Sequence, residues 1–420
     1  MIRHLPARSY VLLEAVGRLA DEMKVPVFVV GGIVRDLLLG LGTFDLDLVV
    51  EGDGIAFARA FVRDTGGQVT VHDRFGTATV ILDSGPKIDI ATARKESYAQ
   101  QAALPLVAPA SIQDDLLRRD FTINALAVRL NAQRFGEVVD VCNGRSDIAD
   151  QRIRVLHGRS FLDDPTRIFR AIRFEQRLGF RMNRSTLVLL HDAIATGVIG
   201  RLSSHRLSEE LKRVFSERCP RLVIARMGEL GVLRAIHPKL AWSPKLKGML
   251  KGVENAVAWH KRNLPKQKLK VWLLYVMALL EGLPPKSVAD ILKRLALSKH
   301  EAEAIRSGHA NARAVLRRLA KRPAPKPSDT YRTLAGFIEE AVMFLLASAK
   351  PESVKRLIRV YATTHRSVKP SLTGASLKSL GLKPGPQFKK ILDRLLDARL
   401  NGDVSNDVEE RELAEKLARA

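Results

Sequence analysis

Apolar and polar residues recur along this chain with two different periods, and the strand-like period is confined to its N-terminal third. Residues 9 to 23, SYVLLEAVGRLADEM, carry apolar side chains at helical spacing and predict a helix packed on a core. The unbroken run Val25 to Val30 reads as a buried strand, Gly31-Gly32 as a turn, Ile33 to Leu39 as a short helix, and Phe44 to Val50 as a second strand. A helix over 54–64 and strands over 69–72, 77–82 and 87–92 complete a small α/β sheet. Residues 95 to 113 break the pattern: they are rich in Ala, Pro and Gln, with Lys95 and Glu96 their only charges, and are expected to form a loop. Loops of this length are usually functional or disordered. The following stretch, DDLLRRDFTINALAV, predicts an apolar helix entered through the capping residues Asp120, Thr122 and Asn124. Val138 to Asp140 reads as a last strand end. Beyond it, residues 161–180, 201–215 and 220–320 keep the helical period throughout, KRPAPKPS (321–328) reads as a Pro-rich linker, and 371–404 as two short helices around Pro384-Gly385-Pro386.

Composition narrows the partner. Apolar residues make up 46% of 420, which is globular rather than disordered. Lys and Arg number 69 against 45 acids, a net charge of +24, and this excess points to a polyanion, with nucleic acid foremost. A membrane is not expected: the longest apolar run, Val271 to Leu280, is far too short to span one, and the N-terminus lacks a secretory apolar core. A cytoplasmic location follows. The two cysteines, Cys142 and Cys219, have no metal-ligand spacing and suggest free thiols in a reducing compartment.

The chemistry is concentrated between Val27 and Val50. Successive strand residues point to opposite faces, so Asp45 and Asp47 share one face while Phe44, Leu46 and Leu48 pack on the other. Two ionised carboxylates in one place call for a cation, and oxygen ligands beside nucleotide phosphates suit Mg²⁺. Gly31 and Gly32 let backbone N–H groups approach an anion at a helix start. Asp89 alternates with Ile88 and Ile90, and is either a third acidic group near the metal or a solvated strand residue. A solvated strand edge is the ordinary reading of a D-x-D pair alone. The joined pattern describes a site for metal-assisted phosphoryl or nucleotidyl transfer.

Gly31 to Asp36, G-G-x-V-R-D with Arg35, followed by Asp45-x-Asp47, resembles the nucleotidyltransferase core of class II tRNA nucleotidyltransferases, the CCA-adding enzymes, and of bacterial poly(A) polymerases. The string R-R-D-F-T-I-N-A, Arg118 to Ala125, is similar to a second family signature. The resemblance implies an α+β fold: a small polymerase-β-like palm over 1–140, then an all-helical neck (141–215), body (216–325) and tail (326–420). It further implies that Arg119, Asp120 and Asn124 hold the triphosphate and ribose of an incoming nucleotide, ATP or CTP, for addition to the 3′ end of tRNA.

Asp163-Asp164-Pro165 suits a helix start, with Arg167 one turn beyond Asp164. A carboxylate beside a guanidinium offers an acceptor next to donors, which complements the Watson–Crick edges of cytosine and adenine. Uracil and guanine present the reverse order and would leave polar groups unpaired, at roughly 1–3 kcal/mol each. This resembles the family's protein template, [E/D]-D-x-x-R, with Asp163 in place of the commoner Glu and with Arg170 and Arg173 continuing a basic helix. Arg206, Glu209 and Glu210 resemble the last neck motif, either as surface ion pairs or as braces of the template helix. Lys245, Lys247, Lys251, Lys261 and Arg262, with Trp259 and Trp272 interleaved, suggest an RNA-backbone surface, as do Lys389 and Lys390 after the Gly-Pro turn. The run VWLLYVMALLEGL lacks the His-Asp pair of the phosphohydrolase domain that some relatives carry there, so no second hydrolytic activity is expected. By the same resemblance the loop 95–113 is the lever that refits the pocket from C to A, so A addition is expected: full CCA and A-only addition are close competitors, with CC-only addition third. The rivals are a poly(A) polymerase on generic RNA and, of another class, a non-catalytic RNA-binding protein.

Overall fold

Val27–Val30, strand β1, is buried at all four positions, as its unbroken apolar run requires, and the sheet of the first unit is built around it. The structure is a computed structural model that describes residues 7–42, 46–73, 76–83, 87–381 and 385–419. Phe44, Asp45 and Pro384, on which sequence expectations fall, lie outside these residues. Helix α1 (Ala7–Glu22) and α2 (Gly32–Leu38) flank β1, and β2 (Leu46–Val50) returns antiparallel to it. Helix α3 (Gly54–Thr65) then leads into a meander of β3 (Gln68–His72), β4 (Thr77–Ile81) and β5 (Lys87–Thr92), with β5 parallel to β2.

Two expectations for the next segment fail. Residues 95–113 are not a structureless loop, because β6 (Arg94–Ser97) pairs antiparallel with β7 (Leu106–Pro109). The apolar helix expected within 114–128 is likewise absent: α4 (Ile112–Leu117) ends early, Thr122–Asn124 forms one 3₁₀ turn, and Leu126–Arg129 is strand β8. Leu126, Ala127 and Val128 are fully buried between β1 and β9 (Val138–Asp140). Two neighbouring strands satisfy the β8 backbone, and a short continuous apolar run does not disclose neighbours by its own periodicity. The sheet has seven strands in the order β3-β4-β5-β2-β1-β8-β9.

The remainder of the first unit is mostly helical: α5 (Gly144–Ala149), the short parallel pair β10 (Arg152–Ile153) and β11 (Arg181–Met182), α6 (Ser160–Asp163), α7 (Thr166–Leu178), α8 (Arg184–Ala195), α9 (Ser204–Phe215), α10 (Pro220–Glu229) and α11 (Val232–Ile236). Helix α7 buries Ile168, Phe169, Ala171 and Ile172 and turns its arginines the other way. Both α9 and α10 pack on α7, so this compact unit continues to Ile236, past the expected division at 215, and the division expected at 140 falls inside it.

The second unit, His237–Ala420, is all helical: α12 (Pro244–Asn263), α13 (Val271–Leu280), α14 (Pro285–Arg294), α15 (Lys299–Leu319), α16 (Pro327–Leu334), α17 (Glu339–Ser348), α18 (Glu352–Thr363), α19 (Gly374–Ser379), α20 (Pro386–Asn401) and α21 (Asp407–Arg419). Gly252 lets α12 approach α17 closely: a Cβ there would lie 2.4 Å from the Ala347 carbonyl oxygen. The apolar run of α13 is explained by enclosure among α12, α15 and α17. No described helix is long and apolar enough to cross a membrane. The Pro-rich segment 321–326 is largely exposed, yet the unit continues through it, since α16 packs on α18 and α20.

Candidate active site

Strand β2 alternates as expected at its start, with Leu46 and Leu48 buried and Asp47 exposed between them. Asp47 opens onto a cavity of about 630 Å³ whose wall carries eight arginines: Arg35, Arg118, Arg119, Arg167, Arg170, Arg173, Arg177 and Arg213. Gly31 and Gly32, Asp120, Asn124 and Asp164 line the same cavity. Asp89 lies opposite Asp47 in the β2–β5 register but is not part of this wall. Its carboxylate accepts from Thr79 Oγ1 (2.6 Å) and Lys87 Nζ (2.7 Å). Partial burial pushes that carboxyl up, but these bonds and the Lys87 charge outweigh it and hold the group below the usual range.

Gly31 serves the site by what it lacks. Its φ of +76° is in the left-handed region, and a Cβ there would sit 2.7 Å from Arg119 Nη1. Its own N–H already donates to the Leu126 carbonyl (3.0 Å) and is not available to an anion. Room for the Arg119 guanidinium is therefore the contribution of this glycine.

Arg35 bonds Asp36 (2.7 Å) and the Asn124 side-chain oxygen Oδ1 (2.5 Å); the Asn124 side-chain Nδ2 in turn donates to Asp120 Oδ1 (3.0 Å), and Arg170 grips Asp120 Oδ2 through Nε (2.7 Å) and Nη2 (2.5 Å). Full burial pushes the Asp120 carboxyl up, and the charge of Arg170 with the bonds from Asn124 and Arg170 reverses that, leaving it below the usual range. Phe174, between these arginines, has the guanidinium carbons of Arg35, Arg170 and Arg177 at 5.0, 5.6 and 5.8 Å from its ring centre. Asp120 and Asn124 thus act within a brace that holds Arg35 and Arg170 against one aromatic ring.

A second brace was not singled out from the sequence, although its spacing was visible. Asp115 is completely buried and accepts from Arg118 on Oδ1 (2.6 Å) and from Arg119 on Oδ2 (2.9 Å), the i,i+3 and i,i+4 positions of one helix face. Arg118 also bonds Glu96 (2.8 Å), and the Tyr98 hydroxyl donates to the other Glu96 oxygen (3.0 Å), with burial and that carboxylate pushing Tyr98 up. Burial pushes Asp115 up as well, but the charges of Arg119 and Arg118 outweigh it and its carboxyl lies below the usual range. A depressed folded-state value stabilises the fold fully above the ordinary carboxylate value of 3.8 and is lost as pH falls through the lower folded value. Asp115→Asn is expected to cost about 3–5 kcal/mol at neutral pH by leaving two arginines without their shared partner. Urea unfolding should show that deficit shrinking in strong acid, and a deficit that stays constant with pH would exclude the charge as its origin.

At the start of α7, Asp164 and Arg167 line the cavity and their side chains do not bond each other. Three donors converge on Asp164 Oδ1: the Thr166 N–H (3.0 Å), the Thr166 hydroxyl (2.6 Å) and Arg206 Nη2 (2.6 Å). Arg167 donates instead to Ser160 Oγ and to the Arg118 carbonyl, both at 2.7 Å. Arg206 also donates to the Ala102 carbonyl (2.9 Å), and the Ala102 N–H reaches the Leu162 carbonyl (3.2 Å), so the β6–β7 connection is tied to both α6 and α9.

Other expected residues stand elsewhere. Glu209 pairs with Lys212 at the surface (2.9 Å), whereas Glu210 lines the cavity and binds Arg173 and Arg213. Asp163 turns toward Arg159 (3.3 Å) and away from the nucleotide-sized cavity. Glu217, between Arg173 and Arg177 at 2.8 and 2.5 Å, completes the support of that wall. In the second unit Lys247, Lys251, Lys261 and Arg262 are exposed on α12 and Lys389 and Lys390 on α20, while Lys245 leans toward Glu281 (3.7 Å) and Trp259 and Trp272 are half-buried.

Residues 27–154 match the Poly A polymerase head domain. The chain is 40% identical to the A-adding tRNA nucleotidyltransferase of Geobacter sulfurreducens over its whole length, covering 48% of that protein. It is 32% identical to the A-adding tRNA nucleotidyltransferase of Halalkalibacterium halodurans, covering 94% of this chain and 89% of that one. The chain belongs to the tRNA nucleotidyltransferase family. Among solved structures, the Thermotoga maritima CCA-adding enzyme complexed with tRNA superposes with a TM-score of 0.80 at 33% identity, over 98% of this chain and 95% of that one. The chain thus spans about half the length of the Geobacter relative and nearly all of the other two. A tRNA nucleotidyltransferase implies a divalent metal ion, and the exposed carboxylate of Asp47 is an oxygen ligand of the kind a hard cation takes, although no group of three metal-ligating side chains occurs among the described residues.

Proposed function

We propose that this chain transfers nucleotides from ATP or CTP to the 3′ end of tRNA with release of pyrophosphate, using Mg²⁺ held by Asp47 and Asp45. The observation that carries this reading is that Asp164 and Arg167 line the same cavity as Asp47 and Arg119, which suits base reading by the first pair and phosphate binding by Arg119. Magnesium is held by one or two carboxylates together with substrate phosphates, and bound there it supplies a Lewis acid at the α-phosphate and eases loss of the 3′-hydroxyl proton. The chain's own work is positional: Arg119, over Gly31, and the cavity arginines neutralise and orient the triphosphate, while Asp164 and Arg167 read the base. Lys247, Lys251, Lys261, Arg262, Lys389 and Lys390 supply cationic surface for the tRNA backbone.

Within this reaction, the similarity to A-adding relatives and the uncharged connection between β6 and β7 favour addition of the terminal A. tRNAs ending at the discriminator base, at C and at CC, each offered CTP or ATP alone, test this directly. Incorporation of A onto the CC-ended tRNA without C addition to the shorter ones is expected. Addition of C to the shorter substrates would make it a full CCA enzyme, and a homopolymeric A tail on unrelated RNA would make it a poly(A) polymerase.

A further inference from the structure

The second unit holds a cavity of about 530 Å³ between the turn after α13, the start of α14 and the middle of α15. Its floor is apolar, with Leu283, Pro284 and Val288 among its residues, and its rim is cationic, with Arg306, His309 and Arg313 from α15. His309 is oriented by a 2.7 Å contact between Nε2 and the Leu280 carbonyl. Lys245 stands over the same rim, its Nζ 2.8 Å from where a Cβ of Gly282 would lie. Glu281 is shared loosely between Lys245 (3.7 Å) and Arg313 (3.9 Å), and Arg306 pairs with Glu303 at the exposed surface (3.0 Å), so positive charge remains in excess among the described residues of this rim.

The positions of the arginines give this charge a direction. Arg306, Arg313 and Arg317 are all exposed on α15, and their spacings of seven and four residues place them within about 20° of one line along the helix. The stripe is about 16 Å long, more than one phosphate group occupies and suited to a short stretch of nucleic-acid backbone. A largely apolar pocket opening beside such a stripe offers aliphatic side chains against which a base can be buried and guanidinium groups for the flanking phosphates.

We propose that this cavity receives one unpaired base of the tRNA substrate, turned out of its strand, with the adjoining phosphates on Arg306, Arg313, Arg317 and Lys245. The inference rests on the tRNA reading given under Proposed function. Ala310, exposed at the mouth, allows the cavity to be filled from outside the core, and Ala289 does so from the opposite wall. With the full chain and a tRNA lacking its terminal A, fluorescence anisotropy over a salt series should show Ala310→Trp, or Ala289→Trp if the first variant melts early, raising Kd roughly tenfold without changing the slope of log K against log salt. The double variant Arg313→Glu with Arg317→Glu should lower that slope by about one to two. Unchanged tRNA affinity in folded cavity variants would overturn the proposal, as would saturable binding of free AMP that Ala310→Trp abolishes while tRNA affinity stays the same. A wild-type chain that binds no tRNA at all would overturn the functional reading itself, and this inference with it.

Discussion

Asp47→Asn is expected to lower nucleotide incorporation by a factor on the order of 10³ or more, with tRNA affinity and thermal midpoint nearly unchanged. The substitution keeps size and hydrogen-bonding shape, and Asp47 points out of a strand held by buried Leu46 and Leu48 and by pairing with β1 and β5. The packing that fixes β2 therefore does not depend on the charge. The charge is expected to matter to chemistry, because the cavity's other carboxylates, Glu96, Asp120, Asp164 and Glu210, are each engaged by arginines or other donors, and Asp47 is the carboxylate best placed to meet a cation. Single-turnover incorporation with saturating nucleotide, set beside anisotropy and a melt, separates these effects. Activity within tenfold of the wild type would mean that Asp47 does not hold the metal. Since Arg119 and its Gly31 seat are untouched, nucleotide binding without Mg²⁺ should survive the change.

The second large effect concerns base choice. If Asp164 and Arg167 bonded each other, each would be satisfied and neither would read a base. The fold holds them apart: Arg206 and Thr166 take Asp164 Oδ1, while Ser160 and the Arg118 carbonyl take the two outer nitrogens of Arg167. Among the described residues no hydrogen bond reaches Asp164 Oδ2, which on the proposed reading is the atom that accepts an exocyclic amino group. Asp164→Ala or Arg167→Ala is expected to reduce discrimination of ATP over GTP and of CTP over UTP by roughly 10- to 100-fold, the weight of one or two unpaired buried groups. Arg206→Met should do nearly as much without touching a nucleotide, by releasing Asp164 toward Arg167 and detaching the Ala102 connection. Ratios of kcat/KM for the four nucleotides measure all three. Selectivity unchanged in both Asp164→Ala and Arg167→Ala would place the template elsewhere.

What could be read locally was determined by the chain alone. The apolar periods specified α1, α7 and β1, because burying one face or both is a property of the segment itself. The alternation around Asp47 and the arginine-rich strings marked the charged residues of the candidate site, because charge and side-chain spacing are set by residue order, whereas the Gly31 N–H expected for an anion is taken by the Leu126 carbonyl. Tertiary structure decided the rest. Leu126–Arg129 is a strand only because β1 and β9 lie on its two sides. The hairpin of residues 94–109 has little apolar alternation and is anchored from outside, through Glu96 to Arg118 and through Ala102 to Arg206. Arg206 is far from Asp164 in the sequence, Asp120 is farther still from Arg170, and no local pattern pairs them. Such pairings are set by which helix faces the core buries together, and that depends on the whole first unit rather than on any stretch of it.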